Sequence, residues 1–311
     1  MNKFVILADS TSDINDKLQK EYDIRILYGH VILPDKSELK QDFLGWDDAR
    51  AVEFYKELGK NPDVFSTAPP HIDEFAREYE NIIAEGITDI LVMTISGGLS
   101  GTYDFACLAR DQVLKTHPEA HIVCVDSRRF SIGYGTILVK ASQLRAEGKS
   151  FNEVCDFVEN NKNRVHQCGW LDDLSFVAKK GRLTHSKAFF GKLAGIKPIG
   201  EFDYNGLTTV IGKVKGAKKA YPVLLDYIEN TIEEPSEQTI FIAQSNRMAP
   251  AIEYKKMIEE RFSPKEVVII TVSPSSGVNV GPGLMGAYYF GKPISEGLVE
   301  EKALIEKLMA K

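Results

Sequence analysis

Three segments of the chain are continuous apolar runs that end abruptly in polar residues, and this feature constrains the fold most strongly. They are residues 3–9 (KFVILAD), 88–96 (TDILVMTIS) and 120–127 (AHIVCVDS). A strand that is apolar at nearly every position is buried on both faces, as in a parallel sheet covered by helices. We therefore predict a parallel sheet in the first half of the chain.

Helical patterns separate these strands. Residues 71–86 and 101–118 have apolar residues at helical spacing, and Pro118 marks the end of the second pattern. The order strand, polar turn, helix, strand indicates an α/β sheet with right-handed crossovers. This predicts a Rossmann-like N-terminal domain over residues 1–163, with a helix within residues 147–164 leading to the second half.

The pattern changes after about residue 163. Tyr204-Asn205-Gly206 separates two strand-like arms, and an Asn-Gly pair in such a context is a strong hairpin signal. Residues 238–245 and 266–273 are predicted strands, and a helical pattern over residues 249–262 lies between them. We predict that residues 164–311 form a second α/β domain, with a mixed or antiparallel sheet and helices on one face.

Composition excludes several classes of function. The 311 residues carry 38 Lys and Arg against 44 Asp and Glu, a net charge of −6, which argues against a basic face for nucleic acid or a polybasic membrane surface. No run of 18 apolar residues is present, so no stable membrane insertion is expected. The four cysteines are dispersed without C-x-x-C spacing, which is typical of a reducing compartment, and we expect a cytoplasmic protein.

Ligands of open α/β sheets bind outside the carboxyl ends of the strands, so the polar turns there are the candidate site. Residues 94–103 read TISGGLSGTY, a strand, a Gly-rich turn and a helix start. Backbone N–H groups at such a turn can bind an anion, Ser96 can add a hydroxyl, and Gly97 allows close approach. The alternative is an ordinary strand-to-helix turn in which Ser100 caps the helix.

Two further turns carry polar residues of the same kind. Ser66 and Thr67 precede a double proline and a helix start, although the pattern taken alone favours an ordinary rigid loop. Asn279 precedes the sequence GPGLMG, which matches the dinucleotide fingerprint in letters, but too few residues follow it for the rest of that motif. We expect this Gly-rich turn to enter a helix.

Arg182 belongs to a local basic segment, KKGR, in an acidic protein. Such runs are usually solvated surface, but an arginine there can contact a phosphate or an acidic partner. The histidines show no metal-ligand spacing, and Walker and serine-hydrolase motifs are absent. Strand-end aspartates such as Asp9 and Asp126 could bind Mg²⁺ or act as caps. An alternative function is therefore a small-molecule phosphotransferase or nucleotide-binding enzyme, and an interaction scaffold is a third.

Eight segments together resemble the DegV family of bacterial lipid-binding proteins. They extend over nearly the whole chain: ADSTSD, STAPP, ISGGLSGTY, VDSRRFSIGYG, LDDLSFVAKKGRLT, KPI, GKVKGAKKA and NVGPG. The resemblance implies one long-chain fatty acid, such as palmitate or stearate, in a tunnel between two α/β domains. It implies a carrier that is not itself an enzyme and has no cofactor. Some members, the FakB proteins, present the bound acid to a separate fatty acid kinase.

The resemblance also implies which residues bind the carboxylate: Ser66, Thr67, Ser96, Gly97 and Asn279. Gly97 stands where the family usually has a second serine, and the Thr-Ser-x-Pro turn leaves the choice between Ser66 and Thr67 open. Asn279 stands where many members have histidine, which weighs against kinase coupling more than against fatty-acid binding.

The same resemblance gives the basic segment a role. Arg182 matches the family's Gly-Arg turn and is implied to contact the phosphate or the partner protein.

Overall fold

The computed structural model describes residues 4–33, 35–38, 48–183 and 195–310. The first half contains a four-stranded sheet with the order β2-β1-β5-β6, all strands parallel, and a separate antiparallel pair, β3 and β4. Its strands are β1 (Phe4–Asp9), β2 (Ile24–Leu27), β3 (His30–Ile32), β4 (Ser66–Ala68), β5 (Asp89–Thr94) and β6 (His121–Asp126). The predicted parallel sheet is confirmed.

The second half contains a six-stranded mixed sheet with the order β11-β10-β12-β7-β8-β9. Only β10 and β11 are parallel among its described neighbours, and the predicted Asn-Gly hairpin joins β8 to β9. Its strands are β7 (Val165–Leu171), β8 (Ile196–Phe202), β9 (Thr208–Lys215), β10 (Thr239–Gln244), β11 (Glu266–Thr271) and β12 (Leu284–Phe290). The α/β fold class with two different sheets is therefore confirmed.

The α-helices of the described residues are distributed over both halves. They are α1 (Asp16–Tyr22), α2 (Asp48–Lys60), α3 (Ile72–Ala84), α4 (Thr102–Val113), α5 (Ile132–Ala146), α6 (Phe151–Asn161), α7 (Ser175–Lys179), α8 (Ala217–Thr231), α9 (Met248–Phe262), α10 (Pro274–Val280) and α11 (Val299–Met309). None of the helices in the described ranges is both long enough and apolar enough to span a bilayer.

Helix α5 joins the two halves. It contacts the short 3₁₀ helix Ser10–Ser12 and β5 of the first half, and it packs against β7, β10 and β12 of the second sheet. Most of its residues are buried, because both sheets cover it. One hydrophobic cluster accordingly includes Ile6 and Leu91 of the first sheet together with Phe241 and Tyr288 of the second. The second sheet buries its other face separately, under α8, α9 and α11.

One predicted element is wrong. The sequence GPG was expected to lead into a helix, but it connects the end of α10 to the start of β12. Gly281 and Gly283 have φ values of +71° and +106°, a region that favours glycine. A Cβ at Gly281 would lie 2.4 Å from the Phe176 ring, so the turn also needs glycine for packing. The turn therefore runs from a helix into a strand, which is the opposite order to the strand-to-helix turn of the dinucleotide fingerprint.

Candidate functional site

A cavity lies between the two halves of the chain, and one of its ends is polar. This end contains about 790 Å³ of space not filled by protein atoms, open solvent included. It lies beside the carboxyl end of β1, β4, the turn at residues 95–102 and α10. The hydroxyl and amide side chains that line it belong to Ser10, Thr11, Thr67, Ser100, Thr102, Thr208, Ser275 and Asn279.

The other end of the cavity is apolar. It contains about 560 Å³ of atom-free space and is lined by side chains such as Trp170, Leu174, Val210 and Leu284, almost all from the second half. Five residues line both ends, which shows that the two spaces adjoin: Phe130, Val177, Phe202, Thr208 and Val280. The two adjoining spaces together present hydroxyls at one end and hydrocarbon at the other, which is the arrangement that an amphiphilic ligand needs.

Thr67 and Asn279 meet at the polar end. The side-chain amide of Asn279 donates a hydrogen bond of 3.2 Å to the Thr67 hydroxyl oxygen. The contact joins β4 of the first half to α10 of the second. Because Thr67 accepts this bond, its own hydroxyl hydrogen stays available, and no other acceptor for it lies among the described residues. Both side chains line the cavity.

Three of the predicted carboxylate ligands lie outside this cavity. The Ser96 hydroxyl is fully buried and donates to the Gly206 carbonyl of the β8–β9 turn at 2.7 Å. The Gly97 N–H donates to Asp126 at 3.0 Å, so it is occupied within the protein. Ser66 is exposed at the start of β4 and does not line the cavity, whereas its neighbour Thr67 does. The Ser96 hydroxyl and the Gly97 N–H are therefore bonded to other protein groups. Of the two neighbours Ser66 and Thr67, the structure favours Thr67 as the residue that faces the cavity.

Arg182 lies at the edge of the polar end of the cavity. Its side chain is exposed, while its Nε donates to the Leu99 carbonyl at 3.2 Å. Lys180 of the same segment donates to the Phe65 carbonyl at 2.9 Å, and Lys179 pairs with Asp63 at 3.4 Å. The basic segment therefore rests against both hydroxyl-bearing turns of the first half, and it places a guanidinium group at the cavity mouth.

The strand-end aspartates act as caps. Asp9 is buried, and its carboxylate accepts the N–H groups of Thr11 and Ile95, both at 2.9 Å. Burial raises the pKa of this carboxyl above its usual value. Asp126 accepts the N–H groups of Gly97 and Arg128. These hydrogen bonds give both aspartates a structural role at the ends of their strands. The strand-end aspartates therefore do not by themselves indicate a phosphotransferase. Ser100 bonds to the hydroxyl of Thr102, not to a helix N–H group.

Sequence reasoning missed Thr208 and Ser275, which line the polar end. Ser275 lies in the same segment as Asn279, and its hydroxyl bonds to that of Ser10 at 3.0 Å across the two halves. Helical spacing from Asn279 could have found it, because residues four apart lie on one helix face. Thr208 follows the hairpin turn, and no local signal distinguishes it from other strand residues.

Comparison with known proteins gives the family. The model described as "Uncharacterised protein, DegV family" matches residues 3–292. The chain belongs to the DegV family. A DegV domain-containing protein of Clostridium perfringens, CPE0026, is 32% identical over 291 residues, which cover 94% of this chain and 98% of the relative.

Solved DegV structures share the fold over almost the whole chain. A DegV family protein from Eubacterium eligens, described as loaded with heptadecanoic acid, has a TM-score of 0.80 and 25% identity, covering 93% of this chain and 100% of that one. A DegV lipid binding protein from Thermotoga maritima has a TM-score of 0.80 at 23% identity, covering 94% and 99%. The Streptococcus pneumoniae Fatty Acid Kinase B3 protein, loaded with linoleic acid, has a TM-score of 0.77 at 21% identity, covering 93% and 99%.

Proposed function

We propose that this DegV protein binds one long-chain fatty acid, with its hydrocarbon tail in the apolar end of the cavity and its carboxylate at the polar end. The observation that carries the proposal is that the polar and the apolar end adjoin and share five lining residues. Relatives of the same fold described as loaded with heptadecanoic or linoleic acid support it. The function makes the protein a carrier, which needs no cofactor and catalyses no reaction.

The energetics suit an amphiphile with one anionic end. Burying a sixteen-carbon tail at ~0.8 kcal/mol per methylene gives a gross gain on the order of 10 kcal/mol. Loss of ligand freedom and ordering of side chains reduce this gain but leave room for a tight complex. Neutral donors such as Thr67 and Asn279 can bind the carboxylate without the desolvation cost of a fully buried lysine or arginine.

The carboxylate position follows from the placement of these groups. We assign Thr67 as a hydroxyl donor and Asn279 as the group that orients it, since their hydrogen bond leaves the Thr67 hydrogen to face the cavity. Arg182 at the mouth is the proposed contact for a phosphate or for a partner that carries one. The division into domains at residue 163 fits this proposal, because β1 to β6 precede that residue and β7 to β12 follow it.

The first experiment identifies the ligand directly. Protein purified from a bacterial host is denatured and extracted, and the extract is examined by mass spectrometry for fatty acids. We expect about one long-chain fatty acid per chain, and palmitate uptake by the delipidated protein. A chain that carries no fatty acid and takes up no palmitate would overturn the proposal.

A variant tests the place of the tail. Val210→Phe adds a ring at the apolar end, and Val299→Phe adds the same ring at a site that is 66% exposed. We expect Val210→Phe to weaken binding of stearate at least tenfold and of decanoate much less, and Val299→Phe to change neither. Equal affinities in both variants would place the tail elsewhere.

We also propose that the bound acid is presented to a cytoplasmic fatty acid kinase. The support is the exposed Arg182 side chain beside the polar end. Acyl phosphate formation with ATP and a fatty acid kinase is the measurement. Arg182→Ala should lower it while fatty-acid affinity is kept, and Lys179→Ala is the control. A kinase rate unchanged by Arg182→Ala would contradict the assignment.

A further inference from the structure

Two histidines and a glutamate form a cluster at the rim of the polar end. The nitrogen and oxygen atoms that His30, His71 and Glu74 can offer to a metal all lie within 4.8 Å of one another. His30 Nε2 and Glu74 Oε2 are 2.9 Å apart, and the two imidazole rings have centroids 4.7 Å apart and are tilted by 30°. It is the one such cluster found among the described residues.

The fold brings these residues together through short connections. His30 begins β3 and is paired with Ala68, the last residue of β4. Two prolines follow Ala68 and lead to His71, the residue before α3, whose first turn contains Glu74. Glu74 also accepts the His71 backbone N–H at 2.7 Å, which fixes the start of the helix. The spacing within the sequence gives no metal motif, because His30 lies on a different strand.

A second carboxylate orients the His30 ring. Glu38 Oε1 lies 2.5 Å from His30 Nδ1, on the side opposite Glu74. When Nδ1 donates to a carboxylate, the Nε2 lone pair is left for a metal, and histidine ligands in metalloproteins are commonly held in this way. In the tautomer with Nδ1 donating to Glu38, the Nε2 lone pair would face the Glu74 carboxylate, and a cation between them would bind both groups.

We propose that His30, His71 and Glu74 bind a divalent transition metal ion, with Zn²⁺ the best match, and that Glu38 is a positioning residue for His30. Two imidazoles and one carboxylate are a known zinc donor set that leaves a position open for water or an exogenous ligand. Imidazole nitrogens favour zinc and its neighbours over Mg²⁺ and Ca²⁺, which prefer oxygen. Ligands at zinc bond lengths lie about 3.3 Å apart in a tetrahedron. The ligand atoms here lie up to 4.8 Å apart, and rotation of the exposed His71 side chain would bring its ring nitrogen closer to the other two.

A protonated His30 between Glu38 and Glu74 is the competing explanation of the two short contacts. It gives His71 no part, whereas zinc coordination requires its ring nitrogen. Metal binding to His71 variants therefore separates the two explanations. The proposal is independent of fatty-acid binding, since the probe is the metal ion alone.

The test is zinc binding by the full chain, measured by equilibrium dialysis and by competition with a chromophoric chelator. We expect one Zn²⁺ per chain, weakened at least about tenfold by His71→Ala or Glu74→Gln and by about 10–100-fold by Glu38→Gln. Glu74→Gln keeps an acceptor for the His71 N–H, and circular dichroism checks that the variants are folded. Co²⁺ should give the visible absorption bands of a tetrahedral site.

Exposed histidine–carboxylate pairs supply the matched controls. His121 lies 3.0 Å from Asp89 and His117 lies 3.2 Å from Glu119, each without a third ligand nearby in the described chain. His121→Ala and His117→Ala should leave zinc affinity unchanged. Absence of zinc binding in the wild type, or equal binding in the wild type and in His71→Ala, would overturn the proposal.

Discussion

Two groups of polar residues connect the halves of this protein. The groups differ in whether their polar atoms are fully bonded within the protein or face the cavity. In the buried junction (Asp13, Ser96 and Ser276), protein groups are the partners: Asp13 accepts the Ser273 N–H at 3.0 Å, Ser276 donates to the Thr11 carbonyl at 3.2 Å, and Ser96 donates to Gly206. At the polar end of the cavity, Thr67 and Asn279 bond to each other and still face open space.

The difference shows how one residue type takes on two functions. A hydroxyl that is buried against a protein carbonyl contributes to stability, and its removal leaves an unpaired acceptor. A hydroxyl beside a cavity contributes mainly to the affinity of whatever fills that cavity. Substitutions in the junction should therefore change the free energy of unfolding, and substitutions at the polar end should change ligand affinity.

The largest effect is expected at the turn that covers Ser96. Gly206 has a φ of +78°, and a Cβ there would lie 2.2 Å from the Ser96 hydroxyl and 2.8 Å from the Arg128 Cα. Gly206→Ala combines backbone strain with loss of the buried bond, so urea denaturation should show a loss on the order of 4 kcal/mol. Gly86→Ala is the control, because Gly86 has a φ of +83° and nothing within 4 Å of the added carbon. Equal losses in the two variants would mean that the contact with Ser96 adds nothing.

Asp13 should make the junction sensitive to pH. Burial raises the pKa of its carboxyl from 3.8 to about 6 in the folded protein, against hydrogen bonds from Ser131 and Ser273 that lower it. The folded state therefore holds this proton more tightly than the unfolded state, so stability present below pH 3.8 is lost as the pH rises through about 6. The shift corresponds to about 3 kcal/mol.

The measurement compares urea denaturation of wild type and Asp13→Asn from pH 4 to pH 7. The wild type should lose about 2.4 kcal/mol relative to Asp13→Asn over this range, which covers most of the full shift. Asn tolerates the left-handed backbone conformation at this residue, where φ is 54°. Asp23→Asn is the matched control, since Asp23 also has a positive φ but its side chain is 90% exposed. Parallel curves for wild type and Asp13→Asn would contradict the prediction.

The sequence was sufficient for the elements that carry long patterns. Strands β1, β5 and β6 lie within the three predicted apolar runs, and helix α6 lies within the predicted segment 147–164, where Ser150 and Glu153 form its capping box. The three-residue strands β3 and β4 were missed, because a segment of three residues is too short to display a periodic pattern. The all-round burial of α5 likewise depends on a second sheet that no local pattern reveals.

The site was harder to predict, because the decisive partners are distant in sequence. The bond that removes Ser96 from the cavity comes from a turn 110 residues later. Thr67 and Asn279 were both named, but their contact spans 212 residues and depends on how α10 packs on β4. Composition of a turn identifies which residues could bind an anion. Only the tertiary structure shows which of them already have a partner.

Ser96→Ala tests that distinction directly. The buried Gly206 carbonyl loses its donor, so the free energy of unfolding should fall by about 2 kcal/mol. The affinity for palmitate should change less than twofold, because the side chain does not reach the cavity. Ser66→Ala, at an exposed serine, is the control for both measurements. A tenfold loss of affinity with unchanged stability would instead make Ser96 a carboxylate ligand, as its sequence motif suggested.

Thr67→Val is the reciprocal change and the smallest expected effect. Valine keeps the shape of the side chain but removes the hydroxyl that faces the cavity, so palmitate affinity should fall about fivefold, which is about 1 kcal/mol. Unfolding should change by less than about 0.5 kcal/mol, because the bond from Asn279 lies at a partly exposed site. Thr67→Ser restores the hydroxyl and should recover the affinity. A variant with lowered stability and intact affinity would show that Thr67 belongs with the buried junction and that the carboxylate is held by other groups.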